Sequence, residues 1–522
     1  MSAASARSAG APAVNPWLIA PVVALAAFME VMDISIANVS LPHIAGDLSS
    51  SQDESTWVLT SYLVTNAVVM PISGWLSNTF GRKRFFLACI AGFTASSLLC
   101  GLAPNLATLI LLRAIQGATG GGLQPAGQAI LADSFPGEKR GMATAIYGIA
   151  TVFAPTIGPT LGGFITDSYN WRWIFLINVP VGIVLFFLVT ALIHEKSSSV
   201  VSSGKKFSVD WFGFGFVALS LGCLQIVMDR GQQDDWFYSD TITALTVTSA
   251  LAFVLLIWWE LRHKEPIVDL RLMRDPDFAV SFGLMLMLGF MLLGSTYLIP
   301  AYVQSLMGYR AVDAGMVLTP GGLATIALLP LVGRSMNKVD LRLLVAIGLI
   351  IGGSSLLWMT HFYLDMSFKQ IMLARMAQAA SLPFLFIPIN AMAFRRITPD
   401  KTNNASALIN LARNFGGSIG ISLTSTMLTR REQFHQSRLT EHLQSMNPAY
   451  PDFANQIGSL MGGGSANSAA TLANIYQGAV QQATLLAYLD DFKMLGLLFL
   501  GLLPFLLLVK AGKGSGGPAV GH

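Results

Sequence analysis

Glu30 and Asp33 stand three residues apart near the middle of the first long apolar run of the chain. That spacing puts both carboxyls on one side of a helix. A charge at the centre of a bilayer costs several kcal/mol, so acids inside apolar spans are functional candidates by default. An acid removed from water holds a proton more readily, and two acids this close titrate as a unit. Carriage of a proton from one membrane face to the other is the chemistry such a pair offers. Arg113, also inside an apolar run, supplies a fixed positive charge whose approach or retreat would change the proton affinity of a nearby acid. Arg375 and Arg413 are two further arginines inside apolar runs. With Asn38, Gln116, Gln124, Gln304 and Asn410 they are candidate polar anchors of a substrate cavity.

Other chemistries lack their residues. The seven histidines are scattered without ligand spacing, and Cys89, Cys100 and Cys223 lie inside apolar runs as small hydrophobes. No nucleophile–base set points to an enzyme, and no G-x-x-x-x-G-K-[ST] run points to direct ATP drive. No cofactor is implied; the energy source consistent with the acids is a proton gradient.

The elements that must hold these residues are membrane spans. Hydrophobic residues make up 53% of the 522, and charged residues only 11%, against about 25% in a soluble chain. That balance excludes a soluble enzyme, a nucleic-acid binder and a disulfide scaffold. Apolar runs between charged or Pro/Gly breaks predict fourteen helices. They cover 17–41, 55–79, 86–103, 105–132, 142–166, 172–194, 211–229, 241–259, 278–304, 312–335, 342–361, 369–394, 404–428 and 489–510. With the N-terminus inside, cytoplasmic segments hold 21 of the 32 Lys and Arg residues and outer segments hold 8. Both termini are therefore expected in the cytoplasm. One long external segment, 430–487, reads as a helix from Arg431 to Met446, a break at Pro448 and Pro451, Gly462–Gly464, and a second helix through Gln482 to Tyr488.

The chain also repeats itself. Gly74 opens the run that ends span 2 (through Gly81, Arg82 and Lys83), and Gly333 opens a similar run at the end of span 10. Arg113-x-x-Gln116-Gly117 follows the first, and Arg375-x-x-Gln378-Ala379 follows the second at nearly the same spacing. An all-α fold follows, with two six-helix halves (17–196 and 266–513) around an insertion of two helices (197–265), between cytoplasmic tails 1–16 and 514–522. Parallel six-helix repeats place the substrate site between the halves near the midplane.

Local motifs add a resemblance over nearly the whole length. Met32-Asp33 through Asn38 to Pro42, the basic loop at Gly81-Arg82-Lys83, and Arg113-Ala-Ile-Gln116-Gly117 resemble the fourteen-spanner drug:proton antiporters of the major facilitator superfamily, the EmrB/QacA-type group. So do Gly148 through Pro155, Gly158, Pro159, Gly162 and Gly163, together with Trp171-Arg-Trp, Asp229-Arg230-Gly231 and Asn410-x-x-Arg413-Asn414. The basic loop departs from the group's pattern, with Ser77 and Asn78 where an Asp is common. The resemblance implies proton-coupled export of hydrophobic or amphipathic compounds across an inner membrane, with Asp33 as leading proton carrier and Glu30 as its alternative. It also implies a cytoplasmic gate at Gly74, Gly81, Arg82 and Lys83, and a coupling role for Arg113. The glycines and prolines of the fifth span would form a tight, kinked seal. In Gram-negative members a periplasmic adaptor and an outer-membrane channel complete the path, and 430–487 could dock the adaptor or cover the exit. A nutrient facilitator or importer is the alternative, expected to lack the fifth-span motif. Asp33→Asn is expected to abolish coupling with the fold largely intact.

Overall fold

A computed structural model describes residues 15–135, 137–193, 210–263, 266–336, 338–443, 450–460 and 469–508. Most of the expected N-terminal tail, the expected C-terminal tail, the 194–209 connection, Pro448 and Gly462–Gly464 lie outside the described residues. The first half contains α1 (Pro16–Asp47), the short α2 (Gln52–Ser55), α3 (Trp57–Phe80), α4 (Arg82–Gly101), α5 (Leu106–Gly120), α6 (Leu123–Ser134) and α7 (Gly137–Ser168). The short α8 (Trp173–Leu176) and α9 (Asn178–Leu192) complete it. The inserted pair is α10 (Trp211–Arg230) and α11 (Asp240–Arg262). The second half contains α12 (Pro276–Ser305), α13 (Ala311–Ser335), α14 (Leu341–Met359), α15 (Phe368–Ala379), α16 (Leu382–Ala393), α17 (Thr402–His442), α18 (Tyr450–Leu460) and α19 (Ala469–Gly501).

Local chemistry sets several of these boundaries. Asn15 accepts from the Trp17 amide at 3.1 Å and Pro16 opens α1, so the first span starts on a side-chain cap. Asn105 caps α5 through the Thr108 amide at 2.9 Å. Between α3 and α4 the chain reverses on one residue, Gly81, whose φ of 88° suits glycine. The fourth span is not continuous: it breaks at Gly121 and Gly122, and its repeat mate breaks at Ala380 and Ser381.

Among the described residues, twelve helices are long and apolar enough to cross a membrane, and a thirteenth joins them if Lys139–Pro155 and Ile157–Ser168, bent by 46°, form one span. The α17 helix fills the place expected of the thirteenth span, but no 18-residue stretch of it is apolar enough to meet that test. Counting it reaches fourteen. Its 41 residues at about 1.5 Å each give about 62 Å, twice a hydrocarbon core of about 30 Å.

That length corrects the reading of 430–487. The helix expected from Arg431 is the uninterrupted continuation of α17, and the second expected helix is the start of α19. Around Pro451, where a break was expected, Tyr450–Leu460 is helical. The two long helices are stapled where they extend: Arg431 pairs with Asp490 at 2.6 Å, His435 approaches the same carboxylate at 2.8 Å, and Thr484 donates to Glu432 at 2.6 Å.

The most extensive pairings are α1 with α7 and, in the second half, α12 with α17. These are repeat mates. The halves meet where α7 packs on α13 and α17 packs on α3 and α6. The inserted α10 lies against α3, while α11 packs chiefly on α10 and leaves most of its surface exposed. Asp229 and Arg230 fasten α10: Thr60 donates to Asp229, and Arg230 reaches the Thr56 hydroxyl at 3.0 Å.

Candidate functional site

Asp33 and Glu30 are both buried, yet they belong to different constellations. Asp33 sits in a closed cage. Arg113 Nη1 donates to its Oδ2 at 2.6 Å, and Gln116 and Asn178 donate to its Oδ1 at 3.1 and 2.8 Å. Arg113 is held in turn by the Val58 carbonyl at 3.1 Å and Gln116 Oε1 at 2.8 Å, with the Tyr62 ring 4.2 Å from its guanidinium carbon. Ser97 accepts from both Gln116 and Asn178 at 3.1 Å and donates to the Phe175 carbonyl at 2.9 Å. Both oxygens of Asp33 are satisfied. Gln116 therefore belongs to this cage and not to an open substrate cavity.

Glu30, one turn earlier, faces the inter-half seam. Asn66 donates to its Oε1 at 3.0 Å, while its Oε2 is buried without a partner. Gln124 lies beside it, and Gln124 Oε1 is also buried without a donor. A proton on Glu30 would supply the hydrogen that both oxygens lack. From the other half, the Arg413 charge acts on Glu30 without forming an ion pair with it. Arg413 Nη2 donates to Asn410 Oδ1 at 3.2 Å, and Asn410 donates to Gln128 of α6. Gln128 also donates to Asn390 of α16 and accepts from Ser406 at 3.2 Å. An unbroken set of amides thus joins the halves beside Glu30.

A cleft lined by Gln128, Arg140, Tyr147, Asn390, Phe394 and Arg395 ends on these amides. The cleft takes in Arg140 and Arg395, which lie in segments expected to be cytoplasmic. Tyr147 stacks on Phe386 with centroids 6.4 Å apart and donates to the Gln124 carbonyl at 3.3 Å.

The fifth-span motif is a double interface. A Cβ added at Gly158 would sit 2.5 Å from Ser35 of α1, and one at Gly162 would sit 3.1 Å from the Ile36 carbonyl oxygen. The Ser35 hydroxyl donates to the Pro155 carbonyl at 3.3 Å, while Pro159 follows within the same helix. On the other side, Gly148 faces Phe386 and Leu329 of the second half, and Gly141 packs on Gly333. Gly163 contacts only Val39 at 4.0 Å. The gate candidates lie at the seam's far end. A Cβ on Gly74 would sit 2.7 Å from Asn404 Oδ1, and Asn78 exchanges hydrogen bonds with Asn403 and Asn404. Arg82 pairs with Asp133, and Lys83 donates to the Thr190 carbonyl at 2.8 Å.

Two expected anchors do not join the site. Asn38 is exposed, because the neighbouring positions Ile36, Ala37 and Ser40 take up the packed faces of α1. Gln304 is exposed near the end of α12 and its amide returns to the Pro300 carbonyl at 3.2 Å. Arg375 is buried in a cage of its own within the second half. Asn66, Asn178, Gln128 and Asn390 were missed by the sequence reading. Each is a lone amide in an apolar run, and the available signal was only that such amides need partners.

Comparisons with known proteins agree with this architecture. The family model of the Major Facilitator Superfamily matches residues 23–421. The chain is 37% identical over 500 residues to the multidrug export protein EmrB of Haemophilus influenzae, covering 95% of this chain and 96% of that protein. It is 35% identical to the fatty acid resistance protein FarB of Neisseria gonorrhoeae, covering 94% and 96%. It is 36% identical to EmrB of Escherichia coli K12, covering 94% and 95%. Among solved structures, the proton:xylose symporter XylE superposes with a TM-score of 0.59 at 15% identity, covering 96% of this chain and 97% of XylE, which shows a shared fold. On the family match, the identity over nearly its full length and the repeated helical halves, this chain belongs to the major facilitator superfamily, in the group of the EmrB multidrug export proteins.

Proposed function

We propose that the protein is a proton-driven exporter of hydrophobic or amphipathic compounds in the inner membrane, with both termini in the cytoplasm, and that Glu30 carries the proton. The supporting observation is the division between two buried acids: Asp33 is fully paired with Arg113, whereas Glu30 keeps one unpartnered oxygen at the seam between the halves. An acid that cycles a proton must be able to lose its partner charge without breaking the fold. Glu30 meets that condition. Arg413 stands on the opposite half, so parting of the halves separates its charge from Glu30. The Asp33–Arg113 cage acts as a rigid support for α1. The names of EmrB and FarB speak of multidrug export and fatty acid resistance, which favours lipophilic substrates for this chain too.

The outer extensions of α17 and α19, stapled through Asp490, are rigid enough to serve as the docking surface of a periplasmic adaptor that leads to an outer-membrane channel. The decisive experiment reconstitutes the full chain in liposomes and follows efflux of a fluorescent lipophilic dye with and without an imposed pH gradient. Gradient-dependent efflux supports the exporter; equal flux without the gradient contradicts it.

A further inference from the structure

The two halves carry the same arginine cage at a constant offset, and only one copy contains an anion. Arg113 lies 80 residues after Asp33 and Arg375 lies 80 residues after Ser295; Gln116 and Gln378 each lie 83 residues after the same mates. The hydrogen bonds of the Nη1 atoms and of the glutamine amides correspond. Arg113 donates to Asp33 and Gln116, and Arg375 donates to Ser295 at 3.1 Å and to Gln378. Gln116 donates to Asp33, and Gln378 donates to Ser295 at 2.8 Å. A second contact fixes the register. A Cβ on Gly117 would meet the Tyr62 carbonyl oxygen at 2.2 Å, and a Cβ on Gly321 would meet the Ala379 side chain at 2.9 Å, so Gly321 takes the place of Tyr62.

Two components are therefore missing from the second cage. Ser295 replaces the carboxylate, and Gly321 replaces the ring that covers the guanidinium. Arg375 is 1% exposed, its Nε is buried without an acceptor, and its remaining partners are neutral oxygens of Ser295, Thr296 and Gln378. Among the described residues no acid pairs with it. A guanidinium taken out of water without an anion is a costly arrangement, and a carboxylate is the planar partner that suits its fork.

We propose that the Arg375–Ser295–Gln378 cage is an anion-binding subsite that takes the carboxylate of an acidic amphiphile, completing in the second half the ion pair that Asp33 completes in the first. Arg375 is closed off in this conformation, so the anion enters when the second half opens. This rests on the exporter reading and narrows its substrate class.

The test compares laurate, a lipophilic carboxylate, with ethidium, a lipophilic cation, in liposomes containing the full chain. Arg375→Gln is expected to lower kcat/KM for laurate at least tenfold more than for ethidium. Ser295→Asp supplies an internal anion, rebuilds the first-half pair and keeps the fold, and is expected to show the same selective loss. Arg375→Lys should fall between, since it keeps the charge without the fork. Equal losses for both probes in Arg375→Gln, or no selective loss in Ser295→Asp, would overturn the subsite. A wild-type protein that moves ethidium under a pH gradient but neither binds nor moves laurate would overturn it while leaving the exporter standing. A protein that moves neither would overturn both.

Discussion

Glu30 and Asp33 lie one turn apart on α1, are both buried, and differ in every hydrogen-bond partner. Asp33 accepts from Arg113, Gln116 and Asn178, all within its own half. Glu30 accepts from Asn66 alone and faces Gln124 and the Arg413 of the opposite half. The difference teaches that burial does not by itself make an acid a proton carrier. A carboxylate whose lone pairs are all occupied by a fixed cation and two amides is a structural ion; one with an idle oxygen at a moving seam can cycle.

The largest effect that could break this comparison is on stability. Asp33→Ala leaves Arg113 buried without its anion and is expected to cost about 3–5 kcal/mol, whereas Glu30→Gln is expected to cost far less. Thermal unfolding in detergent reads both. Replacing Asp33 and Arg113 together by Asn and Gln should recover most of the loss; a double variant as unstable as Asp33→Ala would show that the pair is not the unit.

Next in size is the fifth-span packing. Gly158→Ala drives a methyl to within 2.5 Å of Ser35 and should cost about 1–3 kcal/mol along with transport, while Gly163→Ala meets Val39 only at 4.0 Å and should be nearly silent. Similar losses at both positions would mean that the motif acts through helix propensity and not through contact with α1.

A smaller effect belongs to the seam's gate. Asn78→Ala removes neutral hydrogen bonds to Asn403 and Asn404 worth about 0.5–1.5 kcal/mol each. The gate should open more often, which raises the labelling rate of a cysteine placed at Gln128. The smallest stability change is expected outside the bilayer. Asp490→Asn breaks a partly exposed pair with Arg431 and should cost below about 1 kcal/mol, yet lower drug resistance in intact cells more than transport in liposomes.

Much of the fold was legible because each span announces itself as an apolar run and the repeat shows in two arginine motifs. The division of labour on α1 was not. Three residues at 3.6 per turn leave two side chains about 60° apart, enough for one to face α3 and α6 and the other α5 and α9. Spacing says that they share a side of the helix and is silent on which neighbour each meets. The amides Asn66, Asn178, Gln128 and Asn390 escaped for the same reason: the side chains that partner them are 36 to 282 residues away in sequence and are chosen by packing. Asn38 and Gln304 stand apart from the seam amides, because a polar residue in a span does not reveal which face of its helix packs. The continuation of α17 beyond the bilayer was hidden because its outer part is polar, and polar residues between spans look like a loop until the opposing α19 is seen to staple them.

Proton release on substrate binding tests the assignment of Glu30 most directly. Solubilised full-length protein in weakly buffered solution is mixed with ethidium, and the released protons are read by a pH dye. The wild type is expected to release protons, as is the double variant that replaces Asp33 and Arg113 by Asn and Gln. Glu30→Gln is expected to bind without release. Release that survives in Glu30→Gln and vanishes in the double variant would contradict the assignment and return the proton to Asp33.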